Sequence, residues 1–193
     1  ILGTKVAITS DKPQTTRNRI MGVLTRPDAQ VVFVDTPGIH KPRTALGTRL
    51  NATAQGTIGD VDVVCFVLDA TQPFGRGDQW VANLVPTDAV CVVNKIDRAS
   101  KVAVAEQLVA ASGLALSEYF PVSARTGEGV EALVEHLVAR LPEGPSYFPD
   151  DMVTDVPEAF WVAELVREQL LRRTHDEVPH SIAARVTEWD WPF

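Results

Sequence analysis

Apolar residues in this chain fall into short β-branched runs separated by longer stretches of helical period. The plainest run lies in Gln30–His40, QVVFVDTPGIH, where Val31, Val32, Phe33 and Val34 are consecutive. Such a run predicts a buried strand, here one that passes directly into the turn Asp35-Thr36-Pro37-Gly38. Val61–Ala70 (VDVVCFVLDA), Ala89–Val93 and Glu118–Val122 repeat the pattern. The last two lead into Asn94-Lys95-Ile96-Asp97 and Ser123-Ala124. Arg19–Thr25 alternates weakly, turns at Arg26-Pro27-Asp28, and predicts an antiparallel hairpin with Gln30–Val34.

Helices are expected over Pro42–Asp60, Phe74–Val85, Val102–Ala111 and Glu128–Leu141. In the last, Val130, Leu133, Val134, Leu137, Val138 and Leu141 follow the i, i+3, i+4 rule, which leaves Glu135 and His136 on the polar side. His136 is therefore expected to be solvated, as are His175 and His180. Strands alternating with helices predict an α/β fold with a doubly wound, mostly parallel sheet. They also place DTPG, NKID and SA at one edge of that sheet, where open α/β sheets bind ligands.

The ends of the chain depart from this alternation. Ile1-Leu2-Gly3 reads as the end of a helix with a glycine cap, so further chain is expected before it. Lys5–Arg17 (KVAITSDKPQTTR) is a polar loop rich in hydroxyls, with Pro13 at its centre. Pro142–Pro157 holds four prolines and several acidic residues and reads as a linker. Beyond it, Glu158–Arg173 predicts a helix with Phe160, Trp161, Val162, Leu165, Val166, Leu170 and Leu171 apolar, and Ser181–Trp189 alternates as a strand. The expected organisation is a first domain over 1–141, a linker over 142–157 and the start of a second α/β unit over 158–193.

At 45% hydrophobic and 22% charged, the composition is that of an ordinary globular protein. No apolar run approaches the roughly 18–20 residues of a membrane span. Cys65 and Cys91 lie inside apolar strands, so both are expected to be reduced core residues of a cytoplasmic protein rather than a disulfide or metal ligands. The net charge of −7 gives no overall electrostatic footprint for nucleic acid.

The strand-end motifs carry the chemistry. In D-x-x-G, Asp35 can hold Mg²⁺ through a water, and the side-chain-free Gly38 leaves its N–H open to a phosphoryl oxygen. NKID has the spacing that reads guanine. The Asp97 carboxylate can accept N1–H and the exocyclic N2–H₂, a donor pair that adenine lacks. Asn94 can bond its own loop and the base edge, and the Lys95 stem can lie flat on the base. Ser123-Ala124 offers a backbone N–H to the guanine O6. NKID follows DTPG by 59 residues and SA follows NKID by 29, each closing a strand. The three together point to a guanine-nucleotide site.

With KVAITS (Lys5–Ser10), PQTTR (Pro13–Arg17), DTPG, NKID, VSA (Val122–Ala124), LPEGPSYFPDD (Leu141–Asp151) and EVPHS (Glu177–Ser181) in this order, the chain resembles the Era-type GTPases. The resemblance covers nearly the whole chain and implies a P-loop GTPase domain followed by a KH-type RNA-binding domain. It implies GTP and GDP as ligands with Mg²⁺, and a monovalent cation as a further candidate cofactor. It implies binding to small-subunit ribosomal RNA, assistance in assembling the small ribosomal subunit, and an occasional peripheral association with membranes. By position, Thr16 would be the switch threonine on Mg²⁺, with Thr15 as runner-up. Asp35 would hold Mg²⁺ through water, with Thr36, Pro37, Gly38 and Ile39 around the γ-phosphate. Asn94, Lys95, Ile96, Asp97, Ser123 and Ala124 would hold the base. Ile39 stands where many GTPases have a water-positioning Gln, so hydrolysis is expected to be slow unless a partner or cation assists.

Two features of the family are missing from these residues. No G-x-x-x-x-G-K-[ST] occurs in the chain. In the family that loop lies just upstream of the position of Gly3, and the strand feeding it would be the centre of the sheet. A chain truly starting at Ile1 is therefore expected to fold poorly and bind GTP weakly, and a truncated chain is the simpler expectation. The G-x-x-G that clamps RNA backbone in KH domains is also absent, and 158–193 holds four arginines against seven acidic residues. The alternatives are a related GTPase acting in tRNA modification and a degenerate, nucleotide-free scaffold.

Overall fold

The computed structural model describes residues 1–12, 14–42, 44–174 and 182–190. They form two units. The first takes in 39–48 and 55–145, and the second takes in 2–38, 49–54 and 146 onward.

The hairpin of the second unit pairs β1 (Ile20–Thr25) with β2 (Gln30–Asp35) in antiparallel register, with Val23 opposite Val32 and Gly22 opposite Phe33. Its turn closes through Arg26 N donating to the Ala29 carbonyl at 2.8 Å. Residues 147–154 run along the same hairpin. Gln30 accepts from the Tyr147 and Phe148 amides at 2.8 and 3.0 Å, and Val23 N donates to the Val153 carbonyl at 2.8 Å.

α1 (Ala45–Ile58) starts at Thr44, whose hydroxyl accepts from Gly47 N at 3.1 Å. The sheet of the first unit is parallel, in the order β3 (Cys65–Asp69), β4 (Val90–Asn94), β5 (Glu118–Pro121). β4 is the central strand, and its VCVV run is buried on both faces, as an apolar run without alternation requires. Phe66 and Leu68 of β3 and Cys91 and Val93 of β4 pack with Ala111 and Leu116 into one cluster. α2 (Arg76–Ala82), α3 (Lys101–Ser112) and α4 (Val130–Arg140) follow the strands. Ser100 caps α3 by accepting from Ala103 N at 3.1 Å.

Several expectations fail, each for a physical reason. DTPG, NKID and SA do not end strands of one sheet, because among the described residues β2 pairs only with β1. Among the described residues no strand bonds both β2 and β3. Cys65 is exposed: β3 is an edge strand with Phe66 and Leu68 turned inward, so Cys65 and Val67 face outward. His136 is half-buried rather than solvated, its ring centroid 5.0 Å from that of Phe120. Residues 1–3 form no helix, although Gly3 has the positive φ of a cap.

α5 (Glu158–Arg173) has the expected bounds but not the expected face. It buries Ala163, Glu164, Arg167, Glu168 and Leu171, while Val162, Val166 and Leu170 are exposed. The buried charges are matched. Glu168 accepts from Lys5 Nζ at 2.6 Å and from the Thr9 amide at 2.8 Å, and Arg167 pairs with Glu164 and donates to the Thr15 carbonyl. Burial pushes the Glu168 carboxyl up, but the Lys5 ammonium and the Thr9 donors outweigh it and hold the group below its usual range. Residues 182–190 form no strand. The Ile182 carbonyl accepts from Arg17 Nη1 at 2.7 Å, and alternation alone makes no strand without a neighbour to pair with. EVPHS, His175 and His180 lie outside the described residues, as do Pro13, Arg43 and 191–193.

Candidate functional site

The base-site motifs come together in the first unit. Asp69 and Asn94 are register partners at the ends of β3 and β4, and Ala70 N donates to the Asn94 carbonyl at 2.8 Å. The chain then reverses at Lys95, which has φ 68° and ψ 31°. A left-handed lysine is rare and costs free energy, so the surrounding structure must hold it there. The Asn94 side chain does part of this. Its Oδ1 accepts from Lys95 N at 2.7 Å and from Ala124 N at 3.0 Å, tying the β4 loop to the β5 loop. A short 3-10 turn, Ile96–Arg98, follows, and Ile96 N donates to the Val122 carbonyl at 3.3 Å.

Ser123 is fully buried between these loops, and its hydroxyl donates to Asp97 Oδ1 at 2.8 Å. The Ser123 hydroxyl oxygen also accepts from Thr126 N at 3.1 Å. One carboxylate oxygen is thus pinned from below while the residue itself stays exposed. Asn94, Lys95, Asp97, Arg98, Ala124 and Arg125 line a shallow pocket of about 240 Å³. A planar ligand with two adjacent N–H donors and a carbonyl suits this lining. Asp97 accepts the donors, while Ala124 N–H, now on Asn94, can be shared with the carbonyl.

The phosphate- and metal-side residues lie in the second unit, apart from Ile39. Thr16 Oγ1 donates to Asp35 Oδ2 at 3.1 Å. The Thr15 hydroxyl is turned away and donates to the Lys12 carbonyl at 2.7 Å, so Thr16 is the threonine that faces the carboxylate. With Thr16 Oγ1 as a direct oxygen ligand and Asp35 acting through a water, the pair has the donor chemistry that Mg²⁺ takes. Asp35 is exposed at its rim, yet the protein around it raises its pKa, against the pull of the Thr16 hydroxyl and the Thr36 amide. Pro37 is buried and fixes the turn. A Cβ at Gly38 would meet nothing within 4 Å in the protein itself, so any need for glycine there comes from what approaches it. Among the described residues no three His, Cys, Asp or Glu side chains group to hold a metal.

Sequence reasoning passed over Arg98 and Arg125, though each directly follows a motif it had singled out. It also passed over Asp69, whose only signal was its place at a strand end.

Residues 1–95 match the model of the 50S ribosome-binding GTPase family. GTPase Era of Geotalea daltonii is 48% identical over 190 residues, covering 96% of this chain and 64% of that protein. GTPase Era of Mycobacterium avium is 46% identical over 195 residues, covering 97% and 65%. A crystal structure of Era with MgGDPNP and nucleotides 1506–1542 of 16S ribosomal RNA matches with a TM-score of 0.88 at 36% identity, over 96% of this chain and 65% of that one. A variant of Aquifex aeolicus Era bound to GDP and AlF4⁻ matches equally well. The chain thus spans 64–65% of the length of these relatives. In sequence and in fold the chain resembles Era over the part of that protein's length that it spans, and its fold is P-loop GTPase-like.

Proposed function

We propose that this chain is part of a GTP-binding and GTP-hydrolysing switch that acts on small-subunit ribosomal RNA. The observation that carries the reading is the double tie across the β4 and β5 loops. Asn94 holds Ala124, Ser123 holds Asp97, and both ties border one pocket. Asp97 then selects guanine by accepting N1–H and N2–H₂, and the Lys95 stem covers one face of the base. Ile96 backs the loop from within.

Thr16 and Asp35 would hold Mg²⁺, which supplies charge neutralisation between the phosphates when bound. The Gly38 amide senses the γ-phosphate, with Thr36 and Pro37 shaping the turn that carries it. Ile39 is an alkyl chain and orients no water. Turnover is accordingly slow in isolation and depends on a bound partner or a monovalent cation. Release of Thr16 and Gly38 after hydrolysis loosens both loops, which is how such switches report their nucleotide.

The relative seen with 16S ribosomal RNA supports small-subunit RNA as partner, and assembly of that subunit is the process this switch is taken to serve. The reading takes 1–141 as the GTPase domain, 142–157 as linker and 158–193 as the start of a KH-type domain. It also takes the protein to be cytoplasmic. Among the described residues no helix is long and apolar enough to cross a membrane. The protein is expected to cosediment with small ribosomal subunits in a nucleotide-dependent way. Equal failure to cosediment with GTP analogue and with GDP would remove the ribosomal part of this reading.

A further inference from the structure

We propose that Asp69 is a positioning residue for the base site, acting through Lys95; this rests on the guanine-site reading above. Lys95 Nζ reaches Asp69 Oδ2 at 2.6 Å. The other oxygen of Asp69 is already fixed, accepting from Thr71 N at 2.9 Å and Thr71 Oγ1 at 2.6 Å. Asp69 therefore presents one oxygen in a set direction from the end of β3, beside its register partner Asn94.

That arrangement answers a question the pocket poses. Lys95 lines it, but a lysine stem has many rotamers, and its side chain is half exposed. An ordinary surface ion pair would not order it, because both partners lose side-chain freedom on pairing. Here the acceptor is held by its own turn before the lysine arrives, so only one side chain is left to order. The left-handed backbone at Lys95 sets where the stem leaves the loop, and Asp69 sets where it ends. Between these two points the stem is held along the pocket. Asp69 does not line that pocket itself, so its influence on a ligand passes through Lys95.

The same anchor neutralises the ammonium. Lys95 then contributes its methylene stem to the base and leaves recognition of the base edge to Asp97. A purine would be retained longer with the anchor than without it, while the choice between guanine and adenine would stay with Asp97.

The test is the dissociation rate of a fluorescent GDP analogue, displaced by excess GDP, for wild type, Asp69→Asn, Asp69→Glu, Lys95→Met and the double variant. Asn keeps an acceptor for Thr71 and loses the charge that faces Lys95. Asp69→Asn is expected to speed release about fivefold at low salt, and less at high salt, with the thermal midpoint unchanged. In the Lys95→Met background the same substitution is expected to change nothing, because the two residues act as one. Asp69→Glu is expected to recover part of the slow release. Equal acceleration in both backgrounds, or an unchanged rate in Asp69→Asn, would overturn the assignment while leaving the guanine site standing. A wild type that binds no GDP analogue would overturn both.

Discussion

Asp97→Asn is expected to weaken GDP binding about a hundredfold or more and to make xanthosine diphosphate the better ligand. The Ser123 hydroxyl donates to Asp97 Oδ1 at 2.8 Å. An asparagine oxygen can take that bond over, so the loop has no reason to move. What changes is the free side of the group, from an acceptor to an N–H₂ donor. Guanine presents N–H donors there, and donor against donor forfeits both bonds. Each bond to a charged group contributes about 1.5–3 kcal/mol, and each 1.4 kcal/mol is about tenfold in affinity. Xanthine carries a carbonyl in place of the exocyclic amine and can accept from the new donor. Competition binding with the two diphosphates checks this. An unchanged preference for GDP would mean that Asp97 does not face the base.

Gly129→Ala is expected to lower the melting temperature by about 6–12 °C, corresponding to about 3 kcal/mol in a domain of this size. Gly129 sits at the N-terminus of α4 with φ 72°, a conformation that costs a residue with a Cβ about 1–2 kcal/mol. A Cβ there would also press on the Pro121 carbonyl oxygen, which is backbone and cannot rotate away. Pro121 ends β5, and Ser123 N donates to the Glu128 carbonyl at 2.8 Å just beside it. The displacement therefore reaches Ser123 and Ala124, and weaker GDP binding is expected together with the lower stability. Gly127→Ala is the control. Its φ is 86°, but a Cβ there meets nothing within 4 Å, so only the conformational cost remains. Calorimetry of the two variants should separate them clearly, and an equal loss would show that the Pro121 contact carries no weight.

How far the sequence speaks depends on whether a feature is local. The VCVV run of β4 and the Pro-Asp turn of the hairpin act through neighbours in the chain, and the structure places them where the pattern does. The base-site loops are legible for the same reason: NKID and SA are contiguous, and β4 and β5 are adjacent parallel strands. The failures are tertiary. Glu164, Arg167 and Glu168 are buried on α5 because Lys5, Thr9 and Thr15 meet them from more than 150 residues away, which no helical period can reveal. Residues 182–190 alternate but find no strand to pair with. Cys65 belongs to an apolar run whose outer face stays uncovered. Asp69 was overlooked because its partner, Lys95, lies 26 residues on.

The pocket is expected to bind guanine nucleotides and refuse adenine nucleotides. Its most direct test is a titration of the purified protein with a fluorescent GDP analogue, and with the matching ADP analogue, in the presence of Mg²⁺. Saturable binding of the GDP analogue, released by unlabelled GDP, is expected, with no binding of the ADP analogue. Binding of both alike, or of neither, would contradict it, and the second result would favour a scaffold that keeps the fold without the nucleotide.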